Sequence, residues 1–187
     1  MKRIILAVLG VLTISAGAEA QSTARTIERA LLAAPARGRD AATVISWNAD
    51  YTYRTLREGT SQLVCYDRSG DPGRPAFAVA CTVLGNLDRV AQNRRFAAEG
   101  GDRAGTQALV AAAQRNGTRV APVFGSPWLG VSGDSQANAG THTTIAMPGA
   151  TETSSGFPEN GGGGGAWLMA AGTSEAHLMT PYIAIAR

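Results

Sequence analysis

The spacing of apolar residues predicts helices in three segments. Residues 22–34 place apolar side chains three or four positions apart, which is typical of a short amphipathic helix, and Pro35 should end it. A second helical pattern begins at Asn86 and is interrupted by glycines. Residues 107–116 then resume it until Gly117, which can adopt the left-handed conformation that ends a helix.

Runs of β-branched and aromatic residues predict the strands. Residues 42–48 and 61–67 are expected to pair as antiparallel strands, while residues 76–84 fit either a strand or the start of the next helix. Four later segments also carry strand patterns: residues 118–124, 141–147, 166–170 and 176–186. Because strand signals flank a helical middle, the sequence predicts an α+β fold, a mainly antiparallel sheet with two or three helices packed on one face.

Two polar, glycine-rich stretches, residues 125–140 and 148–165, are predicted as loops. The second ends in five consecutive glycines at residues 161–165. A phosphate-binding loop has spaced glycines before a helix, together with a lysine and a hydroxyl, whereas this run precedes a strand pattern and contains no lysine. The glycine run is therefore predicted to be a flexible connector.

The first residues have the pattern of a secretory signal peptide. Two basic residues precede an apolar run of about 11 residues, and an A-x-A cleavage site lies before Gln21. The run is shorter than the ~20 residues that a membrane-spanning helix needs. We therefore predict a signal peptide at residues 1–20, a single globular domain at residues 21–187, and a secreted or periplasmic protein with no stable membrane insertion after cleavage.

The charge distribution gives little support for nucleic-acid binding. The chain has a net charge of +3, and removal of Lys2, Arg3 and Glu19 with the signal peptide would lower it to +2. All other basic side chains are arginines, but they are scattered and nearly balanced by acidic residues. Because no basic stripe forms, we expect no nucleic-acid partner.

Cys65 and Cys81 are the only cysteines, and they flank a turn-forming segment at residues 69–73. In an oxidising compartment, such a pair predicts a disulfide. The alternative is a catalytic or metal-binding thiol, but neither a CxxC spacing nor a nearby histidine supports it.

Trp128 is a candidate for ligand binding because it lies in the predicted loop of residues 125–140. A partly exposed tryptophan among turn residues can serve as a platform for a carbohydrate or an apolar ligand. The alternative is that Trp128 folds this loop down over the core.

His142 and His177, the only histidines, are the other two candidates. Alternation places His142 on the more polar face of its strand, while His177 is expected to be mostly buried in the second arm of a hairpin and bonded to a backbone carbonyl or hydroxyl. With Glu152 or Glu175, the pair could form a metal site or an acid–base pair. No HExxH or HxH motif is present, so we expect packing roles and predict neither a metal nor another cofactor.

Several segments resemble a group of exported bacterial hypothetical proteins. "TIERALLAAP", "ATVISW" and "LREGTSQLVCYD" occur in the order found in that group, with a second cysteine about 15 residues later and the ending "GGGGAWLMAAGTSEAHLMTPY". The resemblance covers most of the chain after residue 20. It implies an exported one-domain protein with paired cysteines in its middle and His177 in a closing GG-W-M-x-x-GT-x-x-AH-M-x-P motif, and it implies no activity.

The expected function is a non-enzymatic envelope or secreted module that binds an unknown ligand or envelope partner. Two polar loops are long enough to form a binding surface, and no motif identifies catalytic residues. The alternative is a metal-binding or acid–base enzyme centred on His142 and His177. The geometry distinguishes the two, because imidazole nitrogens that share one zinc ion lie about 3–4 Å apart.

Overall fold

The structure, a computed structural model, describes residues 19–184. The predicted signal peptide lies outside this range except for residues 19 and 20, which belong to the first helix, so its cleavage and the domain division remain predictions. The helices of the described chain are α1 (residues 19–30), α2 (Leu87–Gly100), α3 (Arg103–Arg115) and α4 (Glu152–Ser155). Short 3-10 turns occupy Leu31–Ala33, Ala36–Gly38, Leu84–Asn86 and Gln136–Asn138.

The strands of the described chain form one mixed sheet. They are β1 (Thr43–Trp47), β2 (Tyr53–Arg57), β3 (Leu63–Asp67), β4 (Phe77–Val83), β5 (Pro127–Gly133), β6 (Gly140–Ala146), β7 (Trp167–Met169), β8 (His177–Met179) and β9 (Ile183–Ala184). The order is β2-β1-β3-β4-β5-β6-β8-β7, and β9 also pairs with β6. All pairs are antiparallel except β1 with β3. The predicted α+β fold with a mainly antiparallel sheet is confirmed.

Helices cover both faces of the sheet. Alternate residues of the strands point to opposite sides, so Val79 belongs to the cluster that packs against α1, while its neighbour Ala80 belongs to the cluster that packs against α2. We call these two sides the α1 face and the α2 face. The predicted helix pair is α2 with α3, which pack on each other on the α2 face. The N-terminal helix lies against the opposite side, so the prediction that the helices pack on one face holds for α2 and α3 but not for α1.

The disulfide between Cys65 and Cys81 is confirmed. The two residues are direct partners in the antiparallel β3–β4 pair, their Cα atoms are 4.1 Å apart, and both are fully buried on the α1 face. The Sγ of Cys81 lies 4.0 Å from the carbonyl oxygen of Ala30, at the end of α1. The disulfide therefore lies directly beneath the N-terminal helix.

The prediction that residues 42–48 and 61–67 form an antiparallel pair is wrong. The corresponding strands β1 and β3 are parallel because β2 lies between them in the sequence and forms a hairpin with β1. The sequence pattern missed β2 because its residues are mostly exposed and show no apolar alternation. It occupies the sheet edge, where one row of side chains and one row of backbone groups face solvent.

Residues 118–124 were predicted as a strand and are not one. Their backbone groups bond to side chains of α2 and of the turn before it. Gln92 accepts from the amide of Val120, and Asn86 accepts from the amide of Val123. Because side chains satisfy these amides, the segment needs no partner strand. The ambiguous residues 76–84 are mostly strand, since β4 fills Phe77–Val83.

The prediction of a loop at residues 125–140 is wrong for its first half, where residues 127–133 form strand β5. Pro127 is the first residue of that strand, where its missing N–H is tolerated, and Gly130 lies inside the strand. Both residues suggested a turn, and neither prevents pairing with β4 and β6. Among residues 19–184, no helix is long and apolar enough to cross a membrane.

Candidate binding cleft

A cleft with a volume of about 550 Å³ separates the α2 face of the sheet from α2 and α3. Its floor is formed by β4, β5 and β6. Its roof includes Asn93 and Phe96 of α2 and Val110 of α3, and the β3–β4 loop closes one end. The first turns of α2 are anchored on the sheet through buried Leu87 and Val90, whereas later residues of the helix face the cleft.

Small side chains on the floor create the space. On the α2 face, β4 presents Ala78 and Ala80, and β5 presents Ser132 and Gly130 as their direct partners. None of these side chains extends beyond its β carbon by more than one atom. The sheet and helices therefore stay in contact at Leu87 and its neighbours but leave an open volume over the middle of the floor.

Gly130 is a floor residue at which the fold does not require a glycine. A Cβ atom placed on it would have only the carbonyl oxygen of His142 nearby, at 3.5 Å, which is ordinary van der Waals contact. Glycine inside a strand lowers its stability, and it is found where another group approaches the backbone closely. The fold therefore accommodates a Cβ atom at this position, and a longer side chain here would extend into the cleft.

The cleft brings together the three ligand-binding candidates, Trp128, His142 and His177. His142 is paired with Gly130 across β5 and β6, and Trp128 is paired with Thr144 two residues further along. His177 on β8 is paired with Ala146, so its side chain lies on the same face. Trp128 is half-buried, packs against the core of the α2 face and lies on a strand instead of the predicted loop.

The two histidines line one cleft from different positions along the sheet. His142 lies four positions before Ala146, the partner of His177, which corresponds to about 13 Å between their backbone positions at the usual rise per strand residue. Within residues 19–184, no group of three or more His, Cys, Asp or Glu side chains is arranged to bind a metal.

His142 is neutral at physiological pH and free to bind a ligand. Partial burial, and secondly the charge of nearby His177, lower the pKa of its imidazole below the ordinary value. No hydrogen bond joins its ring to another described residue. A neutral imidazole offers one donor and one acceptor, so His142 can provide both to a molecule in the cleft.

His177 is held in place by its own backbone neighbourhood. Its Nδ1 lies 2.7 Å from the carbonyl oxygen of Glu175. A carbonyl oxygen only accepts, so Nδ1 carries the proton and, in a neutral ring, Nε2 is the acceptor. The expected hydrogen bond is present, and His177 lies in the second arm of the β7–β8 hairpin. The side chain is half-buried instead of mostly buried because one side faces the cleft.

An ion cluster fixes the hairpin that carries His177. The carboxylate of Glu175 accepts from Arg89 at 2.6 Å and from Arg119 at 2.8 Å, and both arginine side chains are almost fully buried. Arg89 also donates to the carbonyl oxygen of Val120. Burial alone would raise the pKa of Glu175, but the hydrogen bond from Arg119 and the charges of both arginines outweigh it and lower that pKa below its usual value.

The β3–β4 loop and α2 together place a charged group in the cleft, which we call the arginine end. It consists of Arg68, Arg74 and Arg94 with one acidic residue, Asp71. Asp71 binds Arg68 at 3.3 Å and Arg94 at 2.6 Å. The sequence alone does not reveal this group because Arg94 is far from the loop in sequence. The only local signal was the pair of arginines that flank the turn at residues 69–73.

Arg74 forms no ion pair with any residue in the described range, although it lines the cleft. Partial burial of the guanidinium, and secondly the charge of Arg68, lower its pKa. An arginine pKa lies so far above neutrality that the group stays charged. The cleft therefore contains a guanidinium without a carboxylate partner of its own among those residues.

The glycine run at residues 161–165 takes no part in the cleft. These residues are exposed, they lead into β7, and none of them lines the space between the sheet and α2. The prediction that they are a connector and not a phosphate cradle agrees with this position.

Comparison of the chain with protein-family models, with curated proteins and with solved structures finds no match. The resemblance to exported bacterial proteins therefore remains a prediction.

Proposed function

We propose that this protein is an exported, non-enzymatic module that binds a small organic molecule in the cleft beneath α2 and α3. The observation that carries the proposal is the volume of about 550 Å³ above a floor of small side chains. Ligand sites commonly enclose roughly 300–1,000 Å³ and combine apolar walls with a few polar groups. The cleft has both, since Phe96, Val110 and Trp128 are apolar or aromatic and His142 offers free polar atoms.

The exported location forms part of the proposal. A disulfide buried in the sheet is typical of proteins that fold in an oxidising compartment, such as the periplasm or the extracellular space. The signal-peptide pattern of residues 1–20 points to the same compartments. We therefore propose that the ligand is met in the periplasm or outside the cell.

A compound screen on matched variants tests the proposal. Gly130→Leu adds a side chain to the floor without a backbone clash and should fill the cleft, while Gly163→Leu adds the same side chain at an exposed position with open space around it. A ligand at 100 times its Kd stabilises the folded protein by about 2.7 kcal/mol. In a thermal-shift screen, compounds that bind in the cleft should raise the melting temperature of the wild type and of Gly163→Leu, but not that of Gly130→Leu.

Two outcomes of this screen would contradict ligand binding in the cleft. One is that a diverse library contains no compound that stabilises the wild type. The other is that every stabilising compound acts equally on Gly130→Leu, which would place its binding site elsewhere on the protein.

The second candidate function is an acid–base enzyme, and the observation that favours it is that His142 and His177 line the same cleft. The two side chains reach the cleft from backbone positions about 13 Å apart along the sheet, and both could act on one substrate bound there. Mass spectrometry of a screening hit after incubation distinguishes the two functions. A binding module returns the compound unchanged, whereas the enzyme converts it and loses this conversion in His142→Gln or His177→Gln.

A further inference from the structure

The charges that line the cleft are concentrated at one end and do not balance. The arginine end contributes three guanidinium groups, Arg68, Arg74 and Arg94, and one carboxylate, Asp71. Asp71 is the only acidic residue among those that line this cleft in the described chain. The local charge is therefore +2, in a partly enclosed space where screening by solvent is weaker than at an open surface.

The single carboxylate of the arginine end is already occupied. Both Arg68 and Arg94 bind Asp71, and the backbone amide of Arg74 bonds to the carbonyl oxygen of Asp71 while its guanidinium remains unpaired. Each guanidinium carries five N–H donors, so most donors at this end have no acceptor among residues 19–184. The Nε of Arg94 is buried and has no hydrogen-bond partner within the described residues.

The arginine end is held in position before any ligand binds. The guanidinium of Arg94 lies over the ring of Trp47, 5.4 Å from its centroid, while Asp71 holds it from another side. Arg68 is fixed by the same carboxylate. Two arginines are thus oriented by the fold, and exposed Arg74 at the mouth can close on a bound group.

The other end of the cleft has a different character. The floor begins at Ser132, which is paired with Ala78 next to the β3–β4 loop. It ends at Trp128, four residues earlier on β5. That distance is about 13 Å at the usual rise per strand residue. Trp128 and the neutral imidazole of His142 suit a planar or apolar body, which can lie over the small floor residues between the two ends.

We propose that the ligand is an amphipathic organic anion, with its carboxylate, phosphate or sulfonate bound at the arginine end and its planar apolar body lying over Gly130 toward Trp128. The proposal rests on ligand binding in the cleft. It follows from the surplus of guanidinium donors, which match the oxygen atoms of such anionic groups in bidentate geometry.

Two fluorescent probes with the same aromatic body test the anionic part. 8-Anilinonaphthalene-1-sulfonate carries a sulfonate, and N-phenyl-1-naphthylamine lacks it. We expect the sulfonate probe to bind the wild type roughly tenfold more tightly, as for one added charge-assisted hydrogen bond. Arg74→Gln should weaken sulfonate binding about tenfold and leave the neutral probe unchanged, Arg74→Lys should restore part of the loss, and Arg54→Gln on the exposed edge strand should change neither.

The same titrations on Gly130→Leu separate failure of this inference from failure of the proposed function. If both probes bind equally and Arg74→Gln has no effect, but Gly130→Leu removes binding of both, the cleft is a ligand site and the anionic preference is wrong. If Gly130→Leu leaves both affinities unchanged, neither probe occupies the cleft and the inference is overturned. Tight binding of the sulfonate that is lost in both Arg74→Gln and Gly130→Leu supports it.

Discussion

The two faces of strands β4 and β5 have the same backbone and opposite packing. On the α1 face, Phe77, Val79 and Val131 are almost fully buried beneath the end of α1. On the α2 face, the middle positions are the small residues Ala78, Ala80, Gly130 and Ser132, and a cleft separates them from the helices. Side-chain size at alternate positions, and not a different backbone, therefore decides which face closes and which stays open.

The location of the small residues explains why the outcome differs. On the α1 face they belong to the end of α1 and the 3-10 turn that follows it, where Ala30, Ala33 and Ala34 let this segment approach the larger strand residues closely. On the α2 face the small residues belong to the sheet, and the helices meet it with longer side chains such as Asn93 and Arg94. Close packing and the disulfide stabilise the α1 face. The middle of the α2 face lacks both.

Truncation of the α1 face should have the largest effect on stability. Phe77→Ala removes a ring that is 4% exposed, packs in the α1-face core and lies under the guanidinium of Arg29. We expect its free energy of unfolding to fall by about 3–5 kcal/mol, measured by urea denaturation. Ser132→Ala on the α2 face is the matched control and should cost less than about 0.5 kcal/mol. Similar losses in both variants would contradict the difference in packing between the faces.

Removal of the disulfide should have the next largest effect. Cys65→Ala/Cys81→Ala opens a link across 16 residues, for which the chain-entropy model gives a loss of about 3 kcal/mol. The double variant should still bind any ligand that the wild type binds, because the bridge lies on the α1 face. Chemical denaturation gives the stability and a probe titration gives the affinity. Loss of binding in a variant that remains folded would show that the two faces are coupled.

The Glu175 cluster should make a smaller contribution that depends on pH. The pKa of Glu175 is lowered in the folded protein, so its stabilisation is present above the unfolded value of about 4.5 and is lost as the pH falls through the folded pKa. At neutral pH, Glu175→Gln should lower the free energy of unfolding by on the order of 1–3 kcal/mol. The difference from wild type should shrink in denaturation experiments below pH ~4.5. A gap that is constant or widens on acidification would contradict the ion cluster.

Filling the cleft should have the smallest effect on stability. Gly130→Leu replaces a strand glycine with a residue that pairs better in a sheet, and it enters open space. We expect the free energy of unfolding to change by less than about 1 kcal/mol, with either sign, in the same denaturation experiment. A loss as large as that of Phe77→Ala would mean that the α2 face is packed as tightly as the α1 face.

Local patterns predicted the elements whose signals are uninterrupted. Helices α1, α2 and α3, the disulfide and the C-terminal hairpin follow from periodicity, turn residues and cysteine usage, whereas the short helix α4 lies in a stretch predicted as a loop. β5 was missed because Pro127 and Gly130 resemble turn residues when read without their neighbours, although one begins the strand and the other faces the cleft. Residues 118–124 were wrongly predicted as a strand because a local pattern does not reveal that a side chain of α2 accepts a hydrogen bond from their backbone.

The site was predictable only as separate residues. Trp128, His142 and His177 stood out by their chemistry, but their position around one cleft depends on the register of β5, β6 and β8. The arginine end had no comparable sequence signal, because Arg94 on α2 reaches Asp71 in the β3–β4 loop only through the tertiary fold.

Methyl NMR of the alanine and valine side chains on β4 and β5 tests the central claim, that the α2 face of the sheet is the ligand site. The protein would be labelled at both methyl types and titrated with 8-anilinonaphthalene-1-sulfonate. We expect the methyl signals of Ala78 and Ala80, which face the cleft, to shift with the titration. The signals of Val79 and Val131, on the opposite face of the same strands, should stay in place. Shifts confined to the valines, or absent from the two alanines at saturating probe, would contradict the account.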